Sequence, residues 1–99
     1  MDKKKLTNAI GLAFNSTKII SGEKLFDFIK SNKVSLVIVG SNMGPSQKKK
    51  ITDKCKFYNI EYFDDLLTVE EIAQACGQKL KVAIGTEDIN IIKLIKSAL

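Results

Sequence analysis

The 99-residue chain has no histidine, no arginine and no tryptophan, and it has only one proline and two cysteines. Without histidine there is no His-based catalytic triad, no His zinc ligand and no side chain that ordinarily titrates near neutral pH. Two cysteines cannot by themselves build a four-thiolate metal site. Cys55 falls on the apolar face of a predicted helix and Cys76 near a helix end, so both read as small buried apolar residues. One proline and six glycines leave no sign of a linker or a collagen-like repeat. No apolar run approaches the roughly 18 residues of a membrane span. The apolar stretch after Met1 is broken by Thr7, Asn8, Asn15 and Ser16, whereas a signal peptide needs it unbroken. The expectation is one domain over residues 1–99, cytoplasmic, monomeric, without cofactor, metal or membrane partner.

Charge is what the chain has in quantity, and it is unevenly spread. The net charge is +5, with 16 basic residues, all of them lysine, against 11 acidic ones. Residues 1–56 carry most of the lysines, and residues 57–99 are net acidic. A basic half on a small domain points to a polyanion, most often nucleic acid. Lysine alone supplies point charges rather than the bidentate fork of arginine. The competing reading is a merely solvated surface.

Apolar periodicity gives the order α-β-α-β-α-β-α-β-α. Leu6, Ile10, Ala13 and Phe14 predict a helix over 4–14. Residues 18–20 form a short strand candidate, followed by Ser21-Gly22 and a helix over 23–31. Leu36-Val37-Ile38-Val39 is a strand covered on both faces. The loop from Ser41 to Ser46 then leads into a lysine-rich helix over 46–58, and a strand follows at 60–63. Thr68 with Glu71 has capping-box spacing for a helix ending at Cys76, with Gly77 just beyond it. Residues 81–85 are a second buried strand. Thr86 is expected to cap a last helix carrying Ile89, Ile92 and Ile95. Short helices between apolar strands imply an α/β fold, a three-layer α/β/α sandwich.

Ligands of open α/β sheets bind beyond strand ends. The loop after the 36–39 strand therefore becomes the natural site, together with Ser46, the free N–H groups of the following helix and Lys48, Lys49 and Lys50. Gly22 is either a turn residue or a place where a ligand approaches the backbone closely. Glu23 either complements its helix dipole or accepts from base amino groups. Dinucleotide-binding and Walker motifs are absent. Adjacent acids such as Asp64-Asp65 and Glu70-Glu71 do not share a helix face. The chain is read as no enzyme.

Several strings, in order and over nearly the whole chain, resemble one family. They are Leu12-Ala13 with Lys18-Ile19-Ile20-Ser21-Gly22-Glu23, then Leu36 to Val39, then Lys49-Lys50-Ile51-Thr52-Asp53-Lys54-Cys55 with Tyr58-Asn59-Ile60, and Ile72 to Gly77 running to Val82-Ala83-Ile84. The chain resembles the L7Ae/L30e/S12e superfamily, in particular its small bacterial ribosomal L7Ae-like members. The resemblance implies an L30e-like sandwich with a mixed four-stranded sheet. It also implies binding of structured RNA of the kink-turn type, with ribosomal RNA and the ribosome as candidate partners. In kink-turn binders a glycine opens the recognition segment, an Asn-Glu pair reads sheared G·A pairs, and a lysine one turn later supports the contact. Here Gly22 matches the glycine, Glu23 and Lys24 fall near the pair, and the segment is one residue shorter. Anchored from Ile29 instead, Ser21 takes the glycine position and Asp27 that of the lysine. The loop before the last strand, Gly77 to Lys81, is two residues shorter than usual, with Leu80 its only bulky apolar residue. Ser46 and Gln47 stand where an Asn-Thr pair is common. The site expected from residues and resemblance together is Lys18, Ser21, Gly22, Glu23, Lys24, Asn42, Lys48, Lys49, Lys79, Leu80 and Lys81. The same fold without that site would serve as a protein-interaction scaffold, marked by an exposed patch at Phe26 or Phe28.

Overall fold

The β-branched run from Leu36 to Val39 alternates its side chains between two layers, and that alternation organises the molecule. Leu36 and Ile38 join one buried cluster with Leu6, Ile10, Ile72, Ile84 and Ile95. Val37 and Val39 join the other with Leu25, Ile29, Ile51 and Cys55. All four strand residues are buried, as a strand covered on both faces must be. The computed structural model describes residues 1–99. Its order is α1 (Lys3–Asn15), β1 (Ile20–Ser21), α2 (Glu23–Lys30), β2 (Leu36–Val39), α3 (Pro45–Phe57), β3 (Glu61–Phe63), α4 (Val69–Cys76), β4 (Ala83–Thr86) and α5 (Ile89–Ser97). Helices α1, α4 and α5 pack together on one face of the sheet, and α2 and α3 on the other. This is the expected α/β/α sandwich.

The sheet order is β1-β4-β2-β3. β2 and β3 are parallel, while β4 runs antiparallel to both β1 and β2. The mixed sheet therefore puts the C-terminal ends of β1, β2 and β3 at the same edge as the start of β4. Ser21 pairs with Ile84, and Val39 pairs with Ala83.

Helix ends explain where boundaries differ from the periodicity. Lys18 N–H reaches back to the Ala13 carbonyl and Thr17 N–H to that of Phe14, with Thr17 at φ 57°. This Schellman-type closure uses residues 17 and 18, so β1 begins only at Ile20. Asn32 and Asn59 close α2 and α3 in the same left-handed way. Pro45 starts α3 one residue earlier than expected, since proline is pre-set for the first helical position. The Thr68–Glu71 capping box is present, with Gly77 left-handed beyond α4.

Thr86 does not cap the last helix. It is the final residue of β4, and its Oγ1 accepts from the Asp88 N–H. Asp88 is the cap, and its carboxylate accepts from Asn90 and Ile91. The shift also rotates the helix. Ile91 and Ile95 are buried, while Ile89 faces solvent. Both cysteines are buried, and burial pushes the Cys55 thiol up to about 11.

Two caps are electrostatically loaded. The Lys3 ammonium, 2.7 Å away, and the Thr68 N–H hold the Glu71 carboxyl below its ordinary range. The Ile91 N–H and Lys18 do the same for Asp88. A carboxyl depressed in the folded state contributes stability above its unfolded pKa, and that contribution is lost as pH falls through the folded value. Thermal unfolding followed from pH 7 to 3 should therefore show Tm dropping once pH passes below about 4. Asp88→Asn, which keeps the cap, should flatten that decline. An identical acid limb in the variant would remove Asp88 from the effect.

Candidate nucleic-acid interface

The register gathers three chain segments at one edge of the sheet: the start of α2, the start of α3 with the loop before it, and the residues entering β4. Between them lies a groove of about 300 Å³ lined by Gly22, Glu23, Leu25, Phe26, Met43, Gln47, Lys50, Ile51, Val82 and Ala83. Its floor is apolar. Glu23 and Lys50 are its charged groups. The Lys50 ammonium lies 5.4 Å from the centroid of the Phe26 ring, which holds the charge over the groove.

Gly22 sits at φ 70°, ψ −148°, a conformation that residues with a Cβ almost never adopt. A Cβ built there would meet nothing within 4 Å, so the backbone at this point faces open space. The chain turns sharply from β1 into α2 and leaves peptide surface bare at the groove.

Helix starts differ systematically. Asp2, Thr68 and Asp88 cap α1, α4 and α5 with side-chain oxygens. α2 and α3, whose first turns line the groove, have glycines at the cap position and no side-chain cap. In α2 the Glu23 and Lys24 N–H groups have no partner, while Leu25 N–H donates to the Gly22 carbonyl; α3 opens on Pro45, which has no N–H, so its free donors are those of Ser46 and Gln47. The positive ends of two helix dipoles and unpaired donors therefore meet at the groove, an arrangement suited to anions.

The structure brings some of the expected site residues here and turns others away. Gly22 and Glu23 line the groove. Ser21 is the last residue of β1, and Lys24 is exposed on the first turn of α2. Lys79 and Leu80 are exposed on the loop leading into β4. Lys18 lies at the opposite end of the sheet, where it is bound to Asp88 at 3.3 Å. Asn42 is engaged internally: its Oδ1 accepts from Val69 N–H, and its Nδ2 donates to Glu70. Lys48 donates to the Ser41 carbonyl and holds the loop, and Lys49 is paired with Asp53. The Lys81 ammonium lies over Phe14 of α1, on the other layer. Phe26 and Phe28 form no open patch, because both are half-buried and each lies under a lysine.

Periodicity missed Phe26, Met43, Gln47 and Val82 as groove residues. Gln47 and Lys50 are three apart on α3, so the helical repeat carried the signal once its direction was known. Val82 arrives only through strand pairing. No three cysteine, aspartate or glutamate side chains cluster in a way that would hold a metal ion. No helix is long and apolar enough to cross a membrane.

Residues 4–94 match the model of the Ribosomal protein L7Ae/L30e/S12e/Gadd45 family. The chain belongs to that family. Among L7Ae-family relatives it is similar to the RNA-binding protein YlxQ of Enterococcus faecium, 34% identical over 96 residues, covering 96% of this chain and 91% of that protein. It is also similar to the RNA-binding protein YlxQ of Bacillus subtilis (strain 168), 28% identical over 80 residues, covering 80% of this chain and 79% of the other. A solved structure of a protein with unknown function from Bacillus halodurans C superposes with a TM-score of 0.81 at 26% identity, covering 94% of both chains. The Giardia lamblia 15.5kD RNA binding protein shares the fold, with a TM-score of 0.75 at 13% identity, covering 96% of this chain and 82% of its own. Asp27 is exposed on α2.

Proposed function

We propose that this protein binds structured RNA of the kink-turn type at the groove between α2, α3 and the start of β4. The observation that carries this reading is the pair of uncapped helix starts at the groove, beside the bare backbone of Gly22 and the Lys50 charge. Phosphate oxygens satisfy the free N–H groups, Glu23 accepts from an exposed base amino group, and the apolar floor takes the face of an unstacked base. Two relatives named as RNA-binding proteins and the basic first half of the chain support it.

The test is a titration against a kink-turn RNA and a plain duplex of equal length at two salt concentrations. Preferential binding to the kink-turn is expected. Lys50→Ala should weaken binding to kink-turn variants of different sequence about equally and lower the salt slope by about 1. An unchanged slope would take Lys50 out of the interface. Equal, strongly salt-dependent binding to both RNAs would reduce the interaction to phosphate attraction. Binding to neither would overturn the RNA reading in favour of a protein partner.

A further inference from the structure

Phe57, the last residue of α3, is 81% exposed, and no other aromatic ring in the chain is open to solvent to this degree. The buried clusters do not explain it, since neither includes Phe57. Tyr58 is half-buried, packs against the second cluster and meets Phe57 edge to face, with ring centroids 4.9 Å apart at 75°. The exposed ring is therefore propped in place by one that is anchored in the core.

Its surroundings are cationic. A shallow concavity joins Phe57 and Tyr58 to Lys50, Asp53 and Lys54, and Asp53 is already paired with Lys49. Lys50 lines both this concavity and the groove. Gln47, Lys50, Lys54 and Phe57 are spaced three, four and three apart, which is one stripe of a helix. The stripe runs about 10 Å from Lys50 to Phe57. A path of lysines thus leads out of the groove and ends on a fixed aromatic plate.

We propose that this stripe is a second RNA subsite, in which a single strand leaving the structured element follows Lys50 and Lys54 and stacks an unpaired base on Phe57. The chemistry is that of single-strand binding: cations tracking the backbone and a π-face that accepts any base. A protein-binding aromatic would sit in an apolar patch, whereas this one shares its concavity with the side chains of Lys50 and Lys54 and with an Asp53 already paired to Lys49. The assignment rests on the RNA reading of the groove for its origin, and its test separates the two.

Two measurements are needed, both on the full chain. In the first, hexauridylate alone is titrated while amide and aromatic NMR signals are followed. Shifts at Phe57, Tyr58 and Lys54 are expected, and their absence overturns the subsite whatever the groove does. In the second, a kink-turn RNA is compared with versions carrying three unpaired nucleotides at the 5′ or the 3′ end. One overhang should tighten binding about tenfold. Phe57→Ala should abolish that gain while leaving the blunt RNA's affinity unchanged, and Phe57→Tyr should keep the gain. If the blunt RNA binds and neither overhang adds affinity, the subsite fails alone. If the blunt RNA does not bind but hexauridylate shifts Phe57, the groove reading fails and the stacking plate stands.

Discussion

Replacing Gly40 with alanine is expected to cost about 3 kcal/mol of folding stability, the upper range for a residue forced into a packed interior. Gly40 follows β2 and is buried where three elements meet. A Cβ there would lie 2.5 Å from Val69 Cγ2, 3.0 Å from Val69 N and 3.0 Å from the Val82 carbonyl oxygen. The first contact is a side-chain methyl, but the other two are backbone, on the start of α4 and on the segment entering β4. Gly40 N–H donates to that same Val82 carbonyl at 2.8 Å, so the methyl cannot be relieved by moving Val82 without stretching the bond. Asn42 further pins Val69 through its N–H. Domains of this size have total stabilities of about 5–15 kcal/mol, so the loss is a large fraction of the whole. Urea unfolding midpoints of wild type, Gly40→Ala and Gly40→Ala with Val69→Ala would measure it. The double variant should recover only the methyl part. A single variant within about 0.5 kcal/mol of wild type would mean that the junction yields freely.

Gly22→Ala is expected to act twice, once on the fold and once on RNA. Its Cβ meets no atom, so the stability cost is purely backbone, about 1–3 kcal/mol for an L-residue held at φ 70° with ψ −148°. That strain is relieved if the chain between β1 and α2 relaxes, and relaxation moves the free N–H groups of Glu23 and Lys24. The added methyl also projects into the open space that the proposed ligand fills. At a temperature where circular dichroism shows the variant fully folded, affinity for the kink-turn RNA should still fall at least tenfold, a loss of about 1.4 kcal/mol. A variant that loses stability but keeps affinity would show Gly22 to be a turn residue only.

Elements held by continuous apolar runs were legible from residues alone. β2 matched to the residue, and the Thr68–Glu71 box was read from spacing. Errors came where a backbone closure consumed residues that looked like strand. Lys18 stands beside the apolar pair Ile19-Ile20 and looks like the start of a strand, yet the left-handed turn at Thr17 uses its N–H to close α1. At the last helix the sequence points to Thr86 as the cap, but β4 runs one residue past the apolar run and takes Thr86 into the strand, which leaves the cap to Asp88. The site divides in the same way. Gly22 and Glu23 adjoin a local turn, which is visible in the sequence, and the structure places both in the groove lining. Gln47 joins the groove through the packing of α3, and Val82 only through the pairing of β4. Lys18 looked like part of a basic surface, but strand direction carries it to the far end.

The position of β4 in the sheet also dictates an order in time. It lies between β1 and β2, and it is the only neighbour β1 has. A ribosome delivers the N-terminal elements first, so β1 leaves the exit tunnel early and stays unpaired until residues 83–86 follow. Until then β1 has no strand partner, and the wall of the groove formed by Val82 and Ala83 does not exist. Long-range pairing of this kind is slow to form. On the proposed function, a chain without residues 82–86 lacks that wall, so RNA recognition would report that synthesis has passed β4.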